Sequence, residues 1–274
     1  MSLTAYARKL ALIRTMFFDT ADMNYVGARA AFFERRDHDF WWLTLHAVEK
    51  YFKTALLMNG ETANQSNHDL TTLLKRLQAL DRRLNPLPFV RPLLAGSERW
   101  FERANDNFIK SLNIYGSATN RYGAYSYVIS NLDIFRADHL VYWARRHARP
   151  FQQTLPGGEK IDWVEELANN PRLWRHHSGP LELLADQPHF DQAKRSLVRG
   201  NVSFFAERRH RPLQPRGALA HNAPIYHCIE ALKGSTAGSA ERAEAREILE
   251  WIVSHIYLPK KEIAEIRLLL AAYA

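Results

Sequence analysis

The chain has 274 residues, of which 46% are hydrophobic and 24% charged, with only 12 Gly and 12 Pro. This composition excludes a disordered protein and predicts a chain that buries a sizeable core. A single cysteine, Cys228, excludes an internal disulfide framework and a cysteine-based zinc site. Residues 1–150 carry 21 basic and 14 acidic side chains, whereas residues 151–274 carry 16 and 15. The net charge of +8 is therefore concentrated in the first half, where we expect an anionic partner to bind.

The N-terminal residues and the apolar runs bear on the location of the protein. The longest apolar runs are far shorter than the ~18 residues that a membrane span requires, so we expect no membrane partner. Arg14 interrupts the apolar stretch that follows Arg8 and Lys9, and no small-residue cleavage site comes after it, which argues against a signal peptide. We therefore expect a cytoplasmic protein.

Apolar residues recur at helical spacing along nearly the whole chain, and no segment alternates apolar and polar residues as a half-buried strand would. In chain order, the first half predicts helices over residues 4–18, 22–36 and 40–58, then one that spans Leu70 to Leu77, and two more over 97–114 and 126–146. Asp69 stands immediately before the fourth of these helices, where a carboxylate can cap the free amide groups.

A linker is predicted at residues 149–158, because Pro150 and the run Pro156-Gly157-Gly158 would break a helix there. Beyond this linker, helical spacing returns in shorter segments, over 159–168, 181–186, 188–208, 218–233, 238–257 and 260–273. The sequence therefore predicts an all-α protein with two parts, a helical bundle over residues 1–150 and a second helical subdomain over residues 151–274.

The predicted helix over residues 40–58 is the most informative segment for function. Most of its circumference is apolar, and its polar stripe consists of His46, Glu49, Lys50 and Lys53, at positions i, i+3, i+4 and i+7. Such a stripe is either the solvated face of an amphipathic helix or a charged face turned toward a groove. In the second case Lys50 and Lys53 would meet the phosphates of a ligand as point charges.

Three motifs in sequence order resemble those of the HEPN family. The first is the helix segment His-Ala-Val-Glu-Lys-Tyr-Phe-Lys-Thr-Ala, residues 46–55. The second is a short loop that contains Gly60, followed by His68-Asp69-Leu70, and the third is the pair Arg121-Tyr122 ahead of the helix that ends near residue 146. The resemblance covers roughly residues 20–150.

The resemblance implies an antiparallel up-and-down bundle of four or five helices that forms a homodimer. HEPN proteins include metal-independent RNases, many of them toxins, and non-catalytic members that bind nucleotide or RNA or pair with a minimal nucleotidyltransferase. On this basis we expect a nucleotide- or RNA-binding protein that is non-catalytic or a diverged member of a toxin–antitoxin-type system, with no metal and no cofactor. The residues implied for ligand contacts are Glu49, Lys50, Lys53, His68, Asp69, Arg121 and Tyr122.

A structural role competes with the functional one at several of these positions. Asp69 can serve as an N-cap, Glu49 and Lys53 can form an i, i+4 ion pair, and Arg121-Tyr122 can fix the start of a helix.

Two Arg–His pairs support an alternative in which the protein is a metal-independent RNase that acts as a dimer. RNases of this family carry an Arg followed by a His after four to six residues, but the next histidine after Arg121 is His139. Arg216 and His221 have the required spacing outside the region of resemblance. Arg136 and His139 are three residues apart on one helical face, where a surface polar pair is the plainer interpretation. A second alternative is a protein-interaction scaffold.

Overall fold

The computed structural model describes residues 5–63, 68–86, 88–89, 105–118, 120, 127–155, 157–187, 189–201, 203–204, 219–221, 224–256, 258 and 260–273. Most of these residues are helical, which confirms the predicted all-α class. The chain forms two compact units, the first made of Met1–Gly116 and Asn131–Arg216 and the second of Ser117–Ser130 and Gly217–Ala274.

The first unit is a helical bundle. Its helices are α1 (Ala5–Ile13), α2 (Asp19–Phe33), α3 (Asp37–Met58), α4 (Leu70–Leu80), α5 (Asn105–Tyr115), α6 (Leu132–Arg146), α7 (Trp163–Asn169), α8 (Pro180–Asp186) and α9 (Gln192–Val198). A π-helical turn, Arg14–Phe18, joins α1 to α2, so the predicted helix over 4–18 continues directly into the next one. The second unit contains α10 (Pro224–Gly234), α11 (Ala240–His255) and α12 (Lys260–Ala272).

Short strands interrupt the helices within the described residues, contrary to the prediction of none. They are β1 (Tyr127–Ile129), β2 (Gln152–Thr154), β3 (Lys160–Asp162) and β4 (Leu219–His221), paired antiparallel as β1 with β4 and β2 with β3. Strands of three residues are too short to show an alternating pattern. For this reason the helices predicted over 126–146 and 218–233 begin too early, and the strands take their first residues.

Helix α3 is the centre of the first unit and contacts α2, α4, α5 and α6. The apolar stripe predicted on this helix is fully buried, and its members are Trp41, Leu45, Val48, Phe52 and Ala55. Gly116 lets the end of α5 approach α3 closely, since a Cβ at this position would lie 2.6 Å from the backbone oxygen of Trp41. Burial of so many large side chains, rather than helix propensity, accounts for the stability of α3.

Residues 151–201 pack with the bundle instead of forming the separate C-terminal part expected beyond residue 150. The backbone N–H of Leu181 donates to Asp22 of α2 at 3.1 Å, and Arg29 Nε donates to the carbonyl of Leu197 at 2.6 Å. The predicted linker is a β2–β3 hairpin, in which Gly158 takes a left-handed conformation with φ of 85°. Here Gly157 and Gly158 lie in a tight turn within one unit, and the unit boundary differs from the predicted one.

The second unit is built on a small apolar core of its own, supplied by α10, α11 and α12. Its buried members are Leu232, Ala245, Leu249, Ile252, Leu258, Ile266 and Leu270, and Cys228 packs against them. Ser239 caps α11, because its hydroxyl accepts a hydrogen bond from the N–H of Arg242. In the part of the chain that the structure describes, no helix combines the length and the apolarity needed to cross a bilayer.

Candidate functional site

Three polar side chains of the first unit, His46, Lys53 and His68, converge on the carboxylate of Glu49, and we call these four residues the Glu49 cluster. The Glu49 side chain is only 3% exposed. Its carboxylate lies 3.1 Å from Nδ1 of His46, 2.6 Å from Nζ of Lys53 and 3.0 Å from Nδ1 of His68. The structure therefore brings together most of the α3 polar stripe and the histidine of the His68-Asp69 motif.

Electrostatics keep Glu49 ionised. Burial alone would raise the pKa of this carboxyl, because an apolar environment solvates a charge poorly. Hydrogen bonds from His46, Lys53 and His68 outweigh burial and lower the pKa of Glu49 to about 2. An ionised carboxylate only accepts hydrogen bonds, so each histidine presents Nδ1–H to Glu49. Glu49 thus fixes the orientation and the tautomer of both rings.

Lys50 lies next to the Glu49 cluster and differs from Lys53 in its surroundings. Its side chain is half-buried, and burial lowers its pKa, although the nearby charge of Glu49 acts in the opposite direction. Lys53 is paired with Glu49, whereas Lys50 has no ion-pair partner among the described residues. A partly desolvated ammonium group without a counter-ion is a favourable position for an external anion.

His68 provides the exposed side of the cluster, with 67% of its side chain accessible to solvent. Its backbone has a φ of 58°, a left-handed conformation that is uncommon outside glycine. The ring meets that of His46 edge to face, with 5.7 Å between the centroids. Because Nδ1 faces Glu49, Nε2 points away from the carboxylate and is the atom that His68 offers to a ligand.

Asp69 has a structural role that fixes the position of His68. Its carboxylate accepts hydrogen bonds from the N–H of Thr71 at 2.9 Å, from Oγ1 of Thr72 at 2.6 Å and from Nδ2 of Asn113 at 2.6 Å. Asp69 therefore caps α4 and also ties its first turn to α5. These three donors occupy the carboxylate, so Asp69 holds the motif in place and does not face the cluster.

Other candidate residues fall outside the described part of the chain. Arg121, Tyr122 and Arg216 are not among the described residues. His221 is described by its backbone alone, in β4, where it stands opposite Tyr127 of β1.

The pair Arg136 and His139 is not the surface pair that the sequence suggested. Arg136 is buried, and its guanidinium donates to the equally buried Asp133 at 2.8 Å. The His139 ring packs against Phe89, with 5.3 Å between the centroids. Arg136 is turned inward and paired with Asp133, and it is therefore not positioned to bind a phosphate in solution.

A buried ionic network centred on Asp22 was missed by the sequence analysis. Asp22 and Arg145 are both completely buried. The Asp22 carboxylate accepts hydrogen bonds from the hydroxyl of Tyr51 at 2.5 Å and from Nε of Arg145 at 2.8 Å, as well as from the N–H of Leu181. Arg145 also donates to Glu182 at 2.7 Å. The available signal was an acidic residue, Asp22, among the mostly apolar residues of the buried face of α2.

A second buried network links the same helices. Asp138 accepts hydrogen bonds from Arg29 and from the hydroxyl of Tyr25, at 2.8 Å for the latter. Asn201 in turn donates to the Tyr25 hydroxyl at 2.7 Å. Both networks have their charges paired inside the first unit, which indicates a structural role rather than a ligand site.

No family model, no curated protein and no solved structure matches the chain. The resemblance to the HEPN family rests on the three residue motifs alone.

Proposed function

We propose that this protein binds a phosphate-bearing ligand, a nucleotide or single-stranded RNA, beside the Glu49 cluster, as a non-catalytic HEPN-like protein. The observation that carries the proposal is Lys50, an ammonium group that is half-buried next to the cluster and has no ion-pair partner among the described residues. A phosphate oxygen would supply the missing counter-charge.

The groups beside Lys50 complete a site for a nucleotide. The ring of His68 is held by the hydrogen bond from Nδ1 to Glu49, so Nε2 on the exposed side is an acceptor for a hydroxyl or N–H group of the ligand rather than for its phosphate. Lys53 offsets the charge of Glu49, so that the buried carboxylate does not repel an anion that binds to Lys50. In this arrangement Lys50 and His68 contact the ligand, while Glu49 and Lys53 position them.

Binding is better supported than cleavage by the residues described. RNA cleavage without a metal needs a group that moves a proton and a cation that stabilises the charged phosphate. Arg136, the arginine of one candidate pair, is buried against Asp133 and does not meet this need. The homodimer, the minimal nucleotidyltransferase partner and the toxin–antitoxin context implied by the resemblance are parts of the same proposal.

The proposal is tested by fluorescence polarisation with a short fluorescein-labelled single-stranded RNA, titrated with the full chain at several salt concentrations. Affinity should fall steeply with salt, and Lys50→Ala should weaken binding and reduce the salt slope by about one. The matched control is Lys75→Ala, which removes an exposed ammonium from α4 and the same net charge. Equal effects of the two variants would refute a site at Lys50.

The labelled RNA also tests the alternative function. Incubation with the protein in EDTA should leave it intact, whereas cleavage that persists in EDTA would show a metal-independent RNase.

A further inference from the structure

We infer that His46, Glu49 and His68 form a binding site for a divalent transition-metal ion of the Zn²⁺ class. The resemblance to the HEPN family implies no metal, and the inference does not depend on nucleotide or RNA binding. It rests on the type, the distances and the support of these three side chains.

The geometry fits one ion. One ligand atom from each of the three residues lies within 4.8 Å of the other two. Nδ1 of His46 and Nδ1 of His68 are each 3.1 Å from Oε2 of Glu49. Ligand atoms of a tetrahedral zinc ion, at ~2.0–2.1 Å from the metal, are separated by about 3.3 Å. An ion can therefore enter between these atoms with small side-chain movements.

The backbone positions the three ligands before any ion binds. His46 and Glu49 are at positions i and i+3 of α3, so their side chains lie on the same face of the helix. His68 precedes α4, whose first turn is fixed by the Asp69 cap. Preorganised ligands of this kind, two histidines and one carboxylate, are a donor set that zinc enzymes use.

The two oxygens of Glu49 can serve different partners. Lys53 Nζ contacts Oε1 at 2.6 Å, while Nδ1 of His46 is near Oε2. An ion bound to Oε2 would leave the contact between Lys53 and Oε1 intact. Lys53 would then orient the carboxylate without itself binding the metal. In this form the proton on Nδ1 of each histidine moves to Nε2.

The surroundings of His46 and His68 determine how tightly the site should bind a metal ion and how accessible the ion should be to solvent. Nε2 of His46 is buried and has no hydrogen-bond partner among the described residues. Without such a partner a metal-ligating histidine is less basic, so we expect weaker affinity than at a structural zinc site. His68 is largely exposed, which leaves the solvent side open for water or an anionic ligand as a fourth donor.

The test is titration of the EDTA-treated, dialysed full chain with Zn²⁺ by calorimetry and with Co²⁺ by visible absorption. We expect one ion per chain and the intense visible bands of tetrahedral Co²⁺. His68→Ala, at an exposed position, should abolish these bands without altering the far-UV circular dichroism. Lys53→Ala should weaken Zn²⁺ binding by about 10–100-fold.

His189→Ala is the matched control, because His189 is an exposed histidine of the same unit outside the cluster. Its metal binding should equal that of the unchanged protein. Absence of Zn²⁺ binding, or Co²⁺ bands that persist in His68→Ala, would overturn the inference. RNA binding is measured separately in metal-free buffer, so each proposal can fail without the other.

Discussion

Removal of the Asp22 carboxylate should destabilise the helical bundle by about 3–5 kcal/mol, the range for breaking a buried ion pair. Asp22 and Arg145 are fully buried, and Asp22→Ala would leave Arg145 with Glu182 as its remaining counter-ion. The hydroxyl of Tyr51 and the N–H of Leu181 would also lose their acceptor. Each donor left unsatisfied in the interior costs about 1–3 kcal/mol, which gives a loss of the same order.

A second substitution separates charge from shape. Asp22→Asn keeps one acceptor oxygen but removes the negative charge. We expect it to lower the free energy of unfolding by about half as much as Asp22→Ala does. Combining Asp22→Ala with Arg145→Met should not recover the stability, because the double variant leaves the buried carboxylate of Glu182 without the cation it pairs with.

The assay is urea unfolding followed by far-UV circular dichroism and tryptophan fluorescence. The chain has two units, so unfolding can occur in two steps, and only the step of the bundle should shift. Asp39→Ala is the control, because the ion pair of Asp39 with Arg36 is half-exposed and should contribute less than about 1 kcal/mol. If Asp22→Ala lowers the free energy of unfolding by no more than Asp39→Ala does, the reasoning is refuted.

Two further predictions concern packing and pH. Gly116→Ala places a Cβ 2.6 Å from the backbone oxygen of Trp41 and should destabilise the bundle by about 1–3 kcal/mol. The control is Gly157→Ala, whose Cβ meets open space and should not change the stability. Thermal unfolding of both variants checks this prediction. For His147, burial chiefly lowers the pKa from 6.5 to about 4, so the unfolded chain binds the proton more readily than the folded one. The free energy of unfolding should therefore decrease as the pH falls from about 6.5 to 4, and it should become constant below about pH 4. His147 should contribute up to ~3 kcal/mol to this decrease. Urea unfolding across this range should show a smaller decrease in His147→Gln; an unchanged pH dependence would contradict the assignment.

The sequence predicted those features that neighbouring residues determine. The buried stripe of α3, the ion pair between Glu49 and Lys53 and the Asp69 cap all depend on spacings of a few residues. The pairing of β1 with β4 and the contact of Asp22 with Arg145 join residues far apart in the chain. No local periodicity contains that information, because such contacts depend on how whole helices pack.

The charge distribution shows a second limit of sequence reasoning. Much of the positive charge counted in residues 1–150 is used inside the first unit rather than displayed on its surface. Buried arginines account for this: Arg29, Arg136, Arg145, Arg146 and Arg149. The first three pair with aspartates, whereas Arg146 and Arg149 donate to backbone carbonyls. The proposed phosphate site therefore depends on Lys50 and not on the net charge.

The interleaved second unit has a consequence for how the chain folds during synthesis. Strand β1 leaves the ribosome early, but its partner β4 follows only after the whole of Asn131–Arg216 has been made. Over that interval the edges of β1 are unpaired, and an unpaired strand edge on a growing chain is open to pairing with other nascent chains. The first unit can complete its network around Asp22 while translation continues, whereas the second must wait for the C-terminal residues. Translation stalled before residue 219 would therefore leave β1 without its partner strand.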